Sequence, residues 1–223
     1  MKRLSTMFLV LSAITLLSAG LPKKKKVIFF GDSITQAGVS PDGYITQLGG
    51  ILQKSHADQY ELIGAGIGGN KVYDLYLRME DDVLKKKPDV VVIYIGVNDV
   101  WHKATSHTGT DLDKFGGFYR ALIKKIQANG AKVILCTPAV IGEKKDGDNS
   151  QDVELNRFSS SIRAISQETS LPLCDLRKLF TDFDKTNNPQ NAEKGILTTD
   201  GVHLNKEGNA LVAKSIGEIL VKL

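Results

Sequence analysis

Five short apolar runs, separated by longer stretches of helical period, limit what this chain can fold into more than any other feature. The runs fall at residues 27–30, 60–63, 90–95, 133–137 and 171–175. Most are too continuously apolar for a strand with one face in water, so they predict strands covered on both faces, as in a parallel sheet. Between them the spacing predicts helices over 44–54, 72–85, 113–129 and 153–169, and a last one over 206–223. In the third of these Phe118, Leu122, Ile123 and Ile126 share a face, Arg120, Lys124 and Lys125 point away, and Gly130 stops the helix. In the last, Leu211, Val212, Ile216, Ile219, Leu220 and Leu223 form a stripe behind Asn205 as N-cap.

Strands alternating with helices need crossovers, and these are right-handed in nearly every case. The expected fold is therefore α/β, a three-layer α/β/α sandwich on a five-stranded parallel sheet of flavodoxin-like order 2-1-3-4-5. In such sheets ligands bind at the carboxyl ends of the strands, beside strand 1. The search for chemistry narrows to the loops after strands 1, 2 and 3 and to whatever reaches over them.

At 223 residues, 42% apolar and 24% charged, the chain has the size of one domain with a short extension. That excludes a disordered protein, a disulfide-stapled miniature and a polytopic membrane protein. The formal charge of +4 is unevenly placed. Setting aside Lys2, Arg3 and the run Lys23–Lys26 leaves 23 of the 29 basic residues against 25 acidic ones, so the body from residue 27 is slightly acidic. It carries no basic cluster of the kind nucleic-acid binding requires.

Those six basic residues flank an apolar stretch, Met7 to Leu17, followed by Ser18-Ala19-Gly20. This is the pattern of a secretory signal peptide over 1–20, with a basic flank at 21–26 and the folded domain at 27–223. Export to a periplasmic or extracellular compartment is expected. The apolar run is about half the ~20 residues of a spanning helix. Left uncleaved, the segment and its lysines would hold the chain at an anionic membrane surface, the only membrane association expected. No Cys follows Gly20, which argues against lipid modification. Cys136 and Cys174 sit in apolar runs and read as buried free thiols.

The strand ends carry the polar residues. Gly31-Asp32-Ser33-Ile34 follows strand 1, Gly66-Ile67-Gly68-Gly69-Asn70 follows strand 2 and Gly96-Val97-Asn98-Asp99 follows strand 3. In the order 2-1-3, Ser33 lies between the Gly69 and Asn98 loops. Asp200-Gly201-Val202-His203 precedes the last helix, a spacing that lets the carboxylate fix the imidazole tautomer and leave the second ring nitrogen as a base. A serine hydroxyl needs such a base to act as a nucleophile.

These four blocks, G-D-S-I, G-x-G-G-N, G-x-N-D and D-G-V-H in this order, resemble those of the SGNH hydrolases, the GDSL esterase and lipase family, over essentially all of 27–223. The resemblance implies the SGNH hydrolase fold, with Ser33 as nucleophile, His203 as general base and acid, and Asp200 as its orienting partner. It implies an oxyanion hole made of the backbone N–H groups of Ser33 and Gly69 and the side-chain amide of Asn98. Gly64 stands where many relatives have Asn, and the pair Gly68-Gly69 leaves open which N–H points inward. No cofactor or metal is called for. The expected activity is hydrolysis of short-chain, foremost acetyl, esters, on a small molecule or a carbohydrate. Lysophospholipase or thioesterase activity, and a non-catalytic carbohydrate-binding protein that kept the fold, are the alternatives.

Other patterns have plainer explanations. Asp32 and Asp99 read as acceptors of loop N–H bonds. Gly64, Gly66 and Gly69 match a dinucleotide fingerprint only in spacing, after the wrong strand. His102, His107 and Asp111 read as a solvated loop rather than a metal site, and so do Asp146, Asp148, Ser150 and Asp152, which lack the Gly and Glu of a calcium loop. Trp101 is either a sugar platform lining the pocket or a core residue.

Overall fold

The computed structural model describes residues 23–145 and 147–223. Residues 1–20, expected to be a signal peptide, the first two residues of the expected basic flank and Asp146 lie outside the described residues. In chain order the elements are β1 (Lys25–Gly31), α1 (Ser33–Ala37), α2 (Tyr44–Ser55), β2 (Tyr60–Gly66), α3 (Val72–Asp82), β3 (Val90–Tyr94), α4 (Val97–Thr105), α5 (Leu112–Ala128), β4 (Lys132–Cys136), α6 (Asp152–Thr169), β5 (Leu173–Cys174), α7 (Leu176–Asn187) and α8 (Lys206–Leu220). A 3₁₀ turn, Leu84–Lys86, ends what the sequence pattern extends as one helix to residue 85.

All five strands pair in parallel in the order β2-β1-β3-β4-β5. The continuous apolar runs are explained by cover on both faces: every residue of β3 is buried, and so are Val27 to Gly31 of β1. Truncating one such residue, as in Ile93→Ala, costs about 2–5 kcal/mol for lost transfer energy and the cavity left behind. Helix α2 packs against α8, while α3, α5 and α6 form a second row. The sheet between these rows is the middle layer of the expected sandwich.

Three expectations change in detail. Lys25 and Lys26 belong to β1 rather than to a flank, paired in register with Tyr60 and Glu61. Their long side chains find partners at the sheet's edge: Lys25 Nζ lies 5.6 Å from the centre of the Tyr60 ring, and Lys26 Nζ donates to Lys86 O at 2.9 Å. Phe118 is only partly buried, at the margin of the α5 face formed by Phe115, Tyr119, Leu122, Ile123 and Ile126, and packs against Tyr76 at 5.6 Å. Helices α1, α4 and α7 were not expected. In α7 the signal was present, since Asp175 caps the helix by accepting from Lys178 N and Leu176, Leu179, Phe180 and Phe183 follow helical spacing.

Cys136 and Cys174 are buried free thiols on adjacent strands. Asn205 caps α8 by accepting from Gly208 N, as its type and place lead one to expect.

Candidate active site

The turn that carries Ser33 is set by two glycines that pair across β1 and β2, Gly31 and Gly66. A Cβ at Gly31 would come within 2.3 Å of Tyr94 O and of Thr35 Oγ1, and one at Gly66 within 2.1 Å of Gln36 N. Only glycine lets α1 press this closely onto the end of the sheet. Asp32 is the cap of α1, its Oδ1 accepting from Ile34 N–H at 3.0 Å. Ser33 therefore does not cap the helix. Burial pushes the Asp32 carboxyl up to about 7, against the Ile34 N–H, which favours the charged form.

The two flanking loops are fixed by their own polar contacts. Gly68 N–H donates to Gln36 Oε1 at 2.8 Å, so of the glycine pair it is Gly69, at φ +76°, whose N–H has no such side-chain acceptor assigned. Arg78 ties the region together: it donates to Asn70 Oδ1 at 2.7 Å, to Gly31 O at 2.7 Å and to Ala65 O at 3.0 Å, and stacks 4.6 Å from the Phe30 ring centre. Asn98, only 2% exposed, sits in the first turn of α4 and donates from Nδ2 to Asn70 O at 3.1 Å. That bond uses one of its two amide hydrogens. Asp99 accepts from Val72 N at 3.2 Å, and burial pushes its carboxyl up to about 6. Both Asp32 and Asp99 thus accept backbone N–H bonds, as read from the sequence.

The third part comes from the stretch between α7 and α8. His203 Nε2 lies 3.0 Å from Ser33 Oγ, and its Nδ1 lies 2.7 Å from Asp200 Oδ2. The other Asp200 oxygen accepts from Val202 N at 3.0 Å and His203 N at 2.8 Å. Burial raises the Asp200 pKa, but the imidazole and these two N–H groups outweigh it and hold the carboxyl below the usual carboxylate range. With Nδ1–H donating to Asp200, Nε2 is an acceptor facing the Ser33 hydroxyl.

The stretch just before this turn is held by one residue 53 to 55 positions away in sequence. Glu143, fully buried, accepts from the backbone N–H groups of Ile196, Leu197 and Thr198. Neither Glu143, Arg78 nor Gln36 is singled out by the sequence reading. Arg78 lies at helical spacing among polar residues, and Glu143 follows an apolar stretch without period, so neither carries a local signal of its partners.

Trp101 packs partly buried against the core and stands edge-on to His203 at 6.4 Å. It also lines a cavity of about 330 Å³ that opens beside the Asp200 turn, with Lys144, Asn149, Gln151 and Glu193 among its walls. His102 is not in a solvated loop but in α4, against Trp101 at 5.7 Å; burial, then the nearby Lys71 charge, lowers its pKa. Among the described residues no group of three or more His, Cys, Asp or Glu side chains is placed to hold a metal ion.

Residues 29–211 match the GDSL-like Lipase/Acylhydrolase family. The chain belongs to this family. An acetylxylan esterase of Geobacillus stearothermophilus is 30% identical over 207 residues, covering 86% of this chain and 91% of the relative. The crystal structure of an acetyl xylan esterase, AlAXEase, superimposes with a TM-score of 0.86 at 59% identity, covering 87% of this chain and 99% of that one. An uncharacterized lipoprotein of Bacillus subtilis, YqeF, is 26% identical over 242 residues, covering 96% of this chain and 98% of its own. The chain is a carboxylic ester hydrolase of the SGNH type.

Proposed function

We propose that this esterase removes acetyl and other short acyl groups from carbohydrates through an acyl-enzyme on Ser33. The observation that carries the reading is the unbroken chain from Ser33 Oγ to His203 Nε2 at 3.0 Å and from Nδ1 to Asp200 at 2.7 Å. His203 takes the serine proton as Oγ attacks the ester carbonyl. Asp200, kept ionised below the usual range, stabilises the imidazolium that forms. The oxyanion is received by the N–H groups of Ser33 and Gly69 and by the second amide hydrogen of Asn98. Fixed donors of this kind act on charge that develops only in the transition state. His203 then protonates the departing alcohol, and the same imidazole activates the water that releases acetate.

The cavity beside Asp200 supports a sugar as the alcohol. His203 must reach the leaving oxygen, so the leaving group lies on the His203 side of the ester. There Trp101 offers an apolar ring face, and Lys144, Asn149, Gln151 and Glu193 offer hydrogen-bonding groups matched to hydroxyls rather than to a fatty chain. The two acetylxylan esterases among the relatives agree with this chemistry.

We also propose that residues 1–20 direct export. No helix among the described residues is long and apolar enough to cross a membrane, and the lipoprotein relative points to the same side of the membrane.

The test is acetate release from acetylated xylo-oligosaccharide compared with fatty-acid release from lysophospholipid. Wild-type protein is expected to turn over the first with a kcat/KM at least about 100-fold higher, the size of preference that pocket contacts supply. Equal activity on both would overturn the substrate assignment and leave the ester hydrolase standing.

A further inference from the structure

We propose that Glu143 is a positioning residue for the reaction, anchoring the loop that carries Asp200 and His203 in register with Ser33. The inference rests on the reading of His203 as the base. Glu143 does not touch the reacting atoms. Its carboxylate is 0% exposed and accepts three consecutive backbone N–H groups, from Ile196 at 2.9 Å, from Leu197, and from Thr198 at 2.8 Å. Its two oxygens divide the three donors between them, an arrangement that a side-chain amide, with one oxygen and one NH₂, does not reproduce.

The neighbouring backbone holds the same loop on both sides. Glu143 N–H donates to Glu193 O at 2.8 Å, and Gly142 N–H donates to Gly201 O at 2.7 Å. Thr198 in turn accepts at Oγ1 from Gly201 N–H at 2.9 Å, and Thr199 N–H donates to His203 O at 2.8 Å. Residues 142 and 143 therefore clamp the loop before, within and just after the Asp200 position. Between α7 and α8 the described residues form no helix and only the isolated bridge Thr198 to Leu204, so these bonds do the work that a sheet or helix does elsewhere. Asp184 and Arg177 are the charged neighbours of this cluster. Removing the carboxylate leaves three buried N–H groups without their acceptor. The loop then relaxes, and the 3.0 Å approach of His203 to Ser33 is lost first.

Glu143→Gln tests this, because it keeps the shape and one acceptor oxygen for Leu197 and Thr198 but turns an amide N–H toward the Ile196 N–H. Expected is a fall in kcat for 4-nitrophenyl acetate of roughly 10- to 100-fold, the size of effect that a misplacement of about 1 Å produces, with KM within about twofold of wild type. Phe158→Leu, buried in the core against Phe115 and making none of the hydrogen bonds that hold the loop, is the control. Matched for its loss of Tm, it should keep kcat at 25 °C, which separates positioning from general destabilisation. If Glu143→Gln does not accumulate as folded protein, Glu143→Asp, which keeps the charge and withdraws it by one methylene, is read in the same way. A variant that folds and keeps kcat within about twofold overturns the proposal. Should Ser33→Ala also leave hydrolysis unchanged, it is the base and nucleophile assignment that fails, not Glu143 alone.

Discussion

The two halves of the candidate site are built by different means. Ser33, Gly69 and Asn98 sit at the ends of β1, β2 and β3, where parallel pairing and glycine contacts at Gly31 and Gly66 fix the backbone. Asp200 and His203 lie in a loop between α7 and α8, half in water, at 49% and 36% side-chain exposure. Nothing periodic holds that loop; side-chain bonds to Glu143 and main-chain bonds to residues 142 and 143 do. On the proposed mechanism, attack and oxyanion binding inherit the rigidity of the sheet, whereas proton transfer depends on a tether. The nucleophile side should tolerate changes outside its glycines, and the base side should be sensitive to changes distant from the chemistry.

The largest test of this contrast is to remove one function from each half. Asp200→Asn should lower kcat by ~10⁴-fold, since the amide stabilises the wrong imidazole tautomer. Asn98→Ala should lower it by only ~10²–10³-fold, because two backbone donors remain in the oxyanion hole. Steady-state kinetics on 4-nitrophenyl acetate decides the order, and a larger loss at Asn98 would reverse the account of which half is fragile.

A smaller effect comes from the support beneath the base loop. Asp184 is buried with Oδ1 unpartnered, and burial, then the nearby Glu143 charge, raises its carboxyl to about 7. Its folded pKa lies above the unfolded value of 3.8, so the folded state holds the proton more tightly. Stability from this group therefore falls as pH rises from about 4 to about 7, and the full penalty is present above that range. Asp184→Asn removes the titration. Its Tm should exceed that of wild type by roughly 2–4 °C for each kcal/mol recovered at pH 8, with little difference at pH 5. Thermal melts at the two pH values check it, and an equal shift at both would show that charge is not the cause.

The same division explains what could be read from the sequence. Continuous apolar runs gave the strands, and the order 2-1-3 then placed Ser33 between the Gly69 and Asn98 loops before any coordinates. The Asp200 to His203 spacing made their contact legible because it is local. The clamp was not legible, since Glu143 meets Ile196, Leu197 and Thr198 across more than fifty residues and bonds their backbone, which carries no residue-type signal. Arg78 escaped notice for a similar reason: two of its acceptors are the main-chain oxygens of Gly31 and Ala65. Helix α1 is five residues long, too short for a period to show. That Gly68 N–H bonds the Gln36 side chain was likewise not legible, since Gln36 lies outside that loop.

The central claim is covalent catalysis at Ser33, and rapid acid quenching of the enzyme mixed with 4-nitrophenyl acetate tests it most directly. Peptide mass spectrometry should find an acetyl group on the peptide that contains Ser33, and none after Ser33→Ala. Turnover without that adduct in wild type, or an equal adduct in Ser33→Ala, would contradict the account.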